Sequence, residues 1–189
     1  MSDVGTATRK RSPRVLALGL IGCTLLLTTG DQFHVQFDIL SYPGDGKLFG
    51  QAWWVAPLFV ISTVGFVVLA WPFAPKATQP QTRDFATGMA WFFGTYVATA
   101  VFGEHVAPLT VTILTVWLIR VIGRADRMTV AAYSLLLALL GTLFESLINH
   151  QGLAHYEVSS FLLVPAWLPA LYMQGAPMAL AITRWLRFP

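Results

Sequence analysis

Residues 50–73 read GQAWWVAPLFVISTVGFVVLAWPF, a run without one charged side chain. A helix needs about 20 apolar residues to cross the hydrocarbon core of a bilayer, so this stretch is long enough to span one. Five more runs meet the same rule: Arg14 to Phe33, Asp84 to Phe102, His105 to Ile122, Met128 to Asn149 and Val158 to Arg184. Helices are expected throughout, because lipid cannot satisfy a backbone that fails to pair with itself.

Composition agrees. Hydrophobic residues make up 56% of the 189-residue chain and charged residues 11%, with a mean hydropathy of +0.63. Soluble domains carry about 25% charged residues, so a water-soluble fold is excluded. The links (DILSYPGDGK, APKATQPQTR, GRADR, HQGLAHYE) are too short to fold alone. The expected class is an all-α membrane protein of six transmembrane helices. Residues 1–13 form a basic cytoplasmic tail and 14–189 the six-helix domain.

Charge sets the orientation. With six spans both termini share one side, and that side collects all of the twelve Lys and Arg residues except Lys47. The positive-inside rule makes it cytoplasmic. The Arg9–Arg14 cluster before an apolar run resembles a signal peptide, but cleavage at Thr28–Gly30 would leave five spans and break the charge pattern. The first helix is therefore read as retained. The Leu20–Cys23 stretch lacks the polar continuation of a lipoprotein box. Cys23 is the sole cysteine, which precludes an intramolecular disulfide.

All four histidines (His34, His105, His150, His155) and six acids (Asp31, Asp38, Asp45, Glu104, Glu145, Glu157) fall toward the non-cytoplasmic ends. Imidazole and carboxylate suit zinc or iron, so one reading is an intramembrane metalloenzyme using Glu104, His105, Glu145, His150 and His155. The spacing argues otherwise. Asp31 and His34 can share a helix face, but Glu104 and His105 diverge, Glu145 and His150 are out of register, and there is no H-E-x-x-H. Glu145 stands out, because it lies inside the fifth apolar run and acids within spans face protein, ligand or cavity.

Trp53, Trp54, Trp71, Trp117 and Trp185 lie near helix ends, where aromatic belts belong. The Trp53–Trp54 pair, with Trp71 and Trp185, reads as interface anchoring. Trp91 and Trp167 are deeper. Pro165, Pro169 and Pro177 share the sixth run with Trp167, and prolines remove helical hydrogen bonds and kink helices. Bent helices leave room between neighbours, so a central cavity is expected. Ala86, Ala90, Gly94 and Ala98 recur every fourth residue, a pattern for close helix packing that is read as intramolecular. Tyr96, Thr110 and Thr112 bond their own backbone or line a cavity.

The AWWVAP segment at Ala52–Pro57 resembles the motif that opens the second span of the Insig (insulin-induced gene) family. A second match runs through Gly152, Tyr156, Phe161–Leu162, Trp167–Leu168–Pro169 and Gly175 at the family's intervals. The resemblance covers roughly residues 50 to 185. It implies six helices and no enzymatic activity or cofactor. Eukaryotic members bind oxysterols, hold the escort protein Scap in the endoplasmic reticulum and bring HMG-CoA reductase to its ubiquitin ligases; prokaryotic relatives are smaller and are associated with a diacylglycerol-like lipid. The short tail resembles theirs, so a prokaryotic plasma membrane is expected, or the endoplasmic reticulum if the chain is eukaryotic.

Ser160 stands where the family has an aspartate linked to partner binding, so a Scap-like contact does not carry over. Sterol specificity does not either, because the region of Thr110, Thr112 and Trp117 does not align with the family's oxysterol residues. The expected function is a non-catalytic lipid-binding protein, a sensor or regulator, holding a diacylglycerol-like or sterol-like lipid. Candidate lining residues are Trp91, Tyr96, Thr110, Thr112, Trp117, Glu145, Trp167 and Pro169. No nucleic-acid partner is expected, the protein partner is unknown, and the expected assembly is a homo-oligomer, with dimer and trimer both open. A transporter is the third reading, against which stands the lack of a 3+3 repeat.

Overall fold

The structure is a computed structural model and describes residues 13–74 and 82–187. Residues 1–12 of the basic tail and most of the link after Ala74 lie outside the described residues. Six helices form in chain order: α1 (Pro13–Gln36), α2 (Val55–Ala70), α3 (Thr82–Phe102), α4 (Val106–Ile122), α5 (Arg127–His150) and α6 (Leu168–Arg187). Two two-residue ribbons supplement the all-α reading. The strands are β1 (Leu40–Ser41), β2 (Lys47–Leu48), β3 (Gln51–Ala52) and β4 (His155–Tyr156). β1 pairs antiparallel with β4, Leu40 opposite Tyr156, and ties the α1–α2 loop to the α5–α6 loop. β2 and β3 form a hairpin whose turn, Phe49 and Gly50, has positive φ at both residues, as tight hairpin turns require.

Local chemistry ends the helices. Asp38 takes a left-handed φ of 56°, letting Ile39 N–H reach back to the His34 carbonyl at 2.8 Å and close α1. Gly152 does the same for α5, with Leu153 N–H on the Ile148 carbonyl at 3.1 Å. Pro72, which has no N–H to continue the ladder, turns the end of α2 into one 3-10 turn at Trp71–Phe73.

The sixth helix corrects the sequence reading. It starts at Leu168 rather than Val158, because Leu162 and Leu163 adopt positive φ and Phe161 and Val164 close a turn on each other. Pro165 precedes the helix. Pro169 occupies its second position, where N–H groups have no partner in any case. Only Pro177 lies inside. The thrice-kinked span reduces to one interior proline.

That helix is the hub. It is buried from Ala170 to Ala181 and packs against α2, α3, α4 and α5. α6 fills the axis where an open cavity was expected. The outer faces carry exposed aliphatic side chains such as Ile61, Val111, Ile119 and Leu135, the inverse of a soluble protein. Val55–Phe73, Arg83–Phe102 and Arg127–His150 are each long and apolar enough to cross a membrane, and α4 is a shorter apolar helix.

The small-residue ladder of α3 also differs from expectation. Ala86, Ala90 and Gly94 point outward, and a Cβ at Gly94 would meet nothing within 4 Å. Close packing uses the opposite face, where a Cβ at Gly88 would lie 3.0 Å from the Met178 backbone.

Candidate functional site

The candidate site is a polar cluster where α1 ends and α2 begins. Asp31 is buried near the end of α1. It accepts hydrogen bonds from the Tyr42 hydroxyl at 3.0 and 2.9 Å and from the Gln51 amide at 2.6 Å. Gln51 also donates to the Thr28 carbonyl at 3.1 Å. The β2–β3 hairpin delivers Gln51, and Gln32 holds that hairpin through a 2.8 Å bond to the Phe49 carbonyl. Burial, then the nearby carboxylates of Asp31 and Glu145, push the Tyr42 hydroxyl well above its ordinary range, so it remains a donor.

Across the gap, Glu145 of α5 accepts a 2.9 Å bond from the Tyr172 hydroxyl of α6. The two carboxyls line one cavity of about 20 Å³, together with Tyr42, Tyr96, Trp54 and apolar side chains of α1, α2 and α5 such as Leu27, Leu58, Phe59 and Phe144. It has room for one water molecule. Trp53 and Trp54 divide here. Trp53 is 70% exposed, whereas Trp54 packs edge-on against the Tyr42 ring at 5.5 Å.

A second opening lies at the other end of the bundle, where the arginines gather. It is a cleft of about 250 Å³ between α3, α4 and α6, lined by Arg83, Asp84, Trp91, Trp117, Arg120 and Arg124 over a floor of Gly88, Val121 and Pro177. Below it Asp126 joins Arg124 (2.8 and 3.2 Å) to Arg184 (2.6 Å). Burial works to raise the Asp126 pKa, but the hydrogen bonds and charges of both arginines outweigh it and hold the carboxyl below its ordinary range.

The sequence candidates scatter over these features. Tyr96 and Glu145 line the first cavity, Trp91 and Trp117 the cleft. Trp167 lines neither. It is wholly buried, donates to the Gly103 carbonyl at 3.1 Å and packs against the His34 ring at a tilt and the Tyr156 ring edge-on, at 5.4 and 6.2 Å. Thr110 and Thr112 spend their hydroxyls on the Val106 and Pro108 carbonyls, at 2.7 and 2.8 Å. Pro169 serves the first turn of α6. Trp71 lies at the basic end under the Arg187 guanidinium, 4.9 Å from the ring centre, and Trp185 is half-buried in the last turns of α6. The sequence gives no sign of Tyr42, Gln51 or Tyr172, and Asp31 reads there as one of six outer-side acids, although an acid inside the first apolar run carries the same signal that singles out Glu145.

No protein-family model matches the chain. The insulin-induced gene 1 protein of Danio rerio is 29% identical over 173 residues, which span 86% of this chain and 67% of that protein. In sequence and in fold the chain is similar to the Insig family. The Insig fold agrees across nearly the whole length. An Insig homologue of Mycobacterium vanbaalenii, MvINS, superposes with a TM-score of 0.77 at 22% identity, covering 94% of this chain and 95% of that one. A cross-linked trimer of MvINS gives 0.78 at 21% identity, covering 95% and 96%. As an Insig homologue with apolar membrane-length helices, the chain is an integral membrane protein.

The metalloenzyme alternative finds no support in this Insig fold. Among the described residues no three His, Cys, Asp or Glu side chains converge as metal ligands. Glu104, His105, His150 and His155 are exposed, while Glu145 turns inward to Tyr172.

Proposed function

We propose that this Insig-family protein is non-catalytic, crosses the membrane six times with both termini cytoplasmic, and holds an amphipathic lipid as a sensor or regulator. One observation carries the reading: two carboxyls, Asp31 and Glu145, share a cavity whose remaining wall is largely apolar. Carboxylates accept hydrogen bonds, and a lipid hydroxyl donates one. A diacylglycerol-like or sterol-like head replaces the water that the cavity has room for. Its chains lie against the apolar outer face of α2, where Val60, Ile61, Val64 and Val68 are exposed, and α2 yields to admit it. Shape then selects the lipid, with a few polar groups fixing the head.

Antiparallel succession supports six spans. The ends of α2, α3, α4, α5 and α6 that meet around Asp126 and Trp71 are alternately C- and N-terminal. The outward ladder of Ala86, Ala90 and Gly94 suits helix contact between copies, in keeping with the trimer described for MvINS. We assign residues 1–13 to a cytoplasmic tail, 14–189 to the helical domain, and the protein to a prokaryotic plasma membrane.

The test is native mass spectrometry of gently purified protein, followed by extraction and identification of bound lipid. One diglyceride or sterol per chain, reduced in Glu145→Gln and Asp31→Asn, is the expected result. Annular phospholipid alone would overturn the reading.

A further inference from the structure

The cleft at the basic end holds three arginines and one aspartate, and their partners are unevenly shared. Arg124 is matched: Asp126 takes two of its N–H groups and Asp84 lies 3.8 Å away. Arg120 is not. It is half-buried on the last turn of α4, and its contacts are the neutral Gln174 side-chain oxygen and the Trp91 ring, 5.1 Å from the guanidinium. Among the described residues no carboxylate lies within ion-pair distance of Arg120 or of Arg83 across the cleft. A guanidinium presents five N–H donors, and one amide oxygen occupies a fraction of them.

A half-buried cation without a counter-ion is costly, and a ring face offsets part of that cost. The rest is offset when an anion enters. The cleft has the volume for a small one, about 250 Å³. Its floor is apolar backbone and side chain at Gly88, Val121 and Pro177, and Trp91 and Trp117 wall its sides. Arginine presents a planar fork that matches phosphate oxygens two at a time. The exposed Leu114 and Leu118 lie up α4 from the cleft, where acyl chains from a headgroup would run.

We propose that the cleft between α3, α4 and α6 binds a phosphate ester, the headgroup of an anionic phospholipid, on Arg120 with Arg83 opposite. This site is at the other end of the molecule from the Asp31–Glu145 cavity and carries a different chemistry, so either reading can fail without the other.

The test uses the full-length protein in detergent, with native mass spectrometry counting retained lipid after exchange into phosphatidylglycerol or phosphatidylcholine. The wild type should retain about one phosphatidylglycerol per chain and prefer it to phosphatidylcholine by about tenfold, the scale of a charge-assisted contact. Arg120→Gln should abolish that preference. Arg83→Gln, at an exposed residue, should weaken it several-fold. Arg127→Gln, an exposed arginine at the same end outside the cleft, should leave it nearly unchanged. Equal retention of both lipids by the wild type would overturn the proposal. So would equal losses in Arg83→Gln and Arg127→Gln, which mark mere attraction to basic surface. Glycerol phosphate at millimolar concentration separates the sources: no displacement supports the membrane lipid, and displacement overturns the headgroup in favour of a soluble phosphate ester.

Discussion

The Ser134 hydroxyl donates to the Met173 carbonyl at 3.3 Å, the oxygen left without an intrahelical partner by Pro177 four residues on. Trp117 in turn donates its indole N–H to Ser134 at 3.1 Å. One buried hydroxyl on α5 thereby repairs the only interior proline of the central helix and ties α4 to it.

Ser134→Ala should therefore lower stability by about 1–3 kcal/mol, the range for leaving buried polar groups unpaired. Pro177→Ala restores an N–H at position 177 that can donate to the Met173 carbonyl and should recover part of the loss in the double variant. Thermal unfolding in detergent of the two single variants and the double gives the coupling; strictly additive effects would contradict the repair.

Gly141 faces the Tyr172 ring, and a Cβ there would lie 2.5 Å from it. That ring is wedged at the α5–α6 contact and its hydroxyl is committed to Glu145. Gly141→Ala should cost about 1–3 kcal/mol by overpacking. Gly65→Ala on α2, where a Cβ meets nothing within 4 Å, should be neutral or slightly stabilising. A melting comparison of the two reads the difference.

Asp126 gives a pH dependence with a definite sign. Its folded pKa is depressed below the ordinary 3.8, so its contribution to stability is present above that value and is lost as pH falls through the folded one. The melting temperature should decline on acidification below about pH 4. Asp126→Asn should lower it at neutral pH and flatten that acid limb. An unchanged limb would assign acid sensitivity to other groups.

Topology is checked by cysteine labelling in a Cys23→Ser background. Lys47→Cys, in the β2–β3 hairpin, should react with a membrane-impermeant maleimide on intact cells. Arg127→Cys, at the start of α5, should react only after lysis. The reverse pattern would invert the orientation.

Prediction of the six helices from sequence succeeded because span length and apolarity are properties of each segment alone. The Gly50–Phe73 run, the alternating arginines and the Trp-Leu-Pro motif were readable one stretch at a time. Glu145 was legible too, since a carboxyl in an apolar run is conspicuous wherever it sits.

What the chain did not disclose depends on which segments meet. Asp31 reads as one of several outer-side acids until the fold brings Tyr42, next after β1, and Gln51, from the β2–β3 hairpin, onto it. Trp167 looked like a cavity wall until α6 was seen at the axis, where the ring is wholly buried. The α3 ladder predicted close packing, but a four-residue period recurs on every face of a helix, so the choice between Gly88 and Gly94 fell to the position of Met178. Arg120 reads as one more positive residue at a helix end; only the fold shows that its partners are Gln174 and Trp91 rather than a carboxylate. Sequence by itself determined the six apolar segments and the membrane, because burial in lipid is a property of one segment, while the start of α6 at Leu168 waited for the fold. The tertiary structure decided the central helix, the cavity and the cleft, because hydrogen bonds and counter-ions there join residues far apart along the chain.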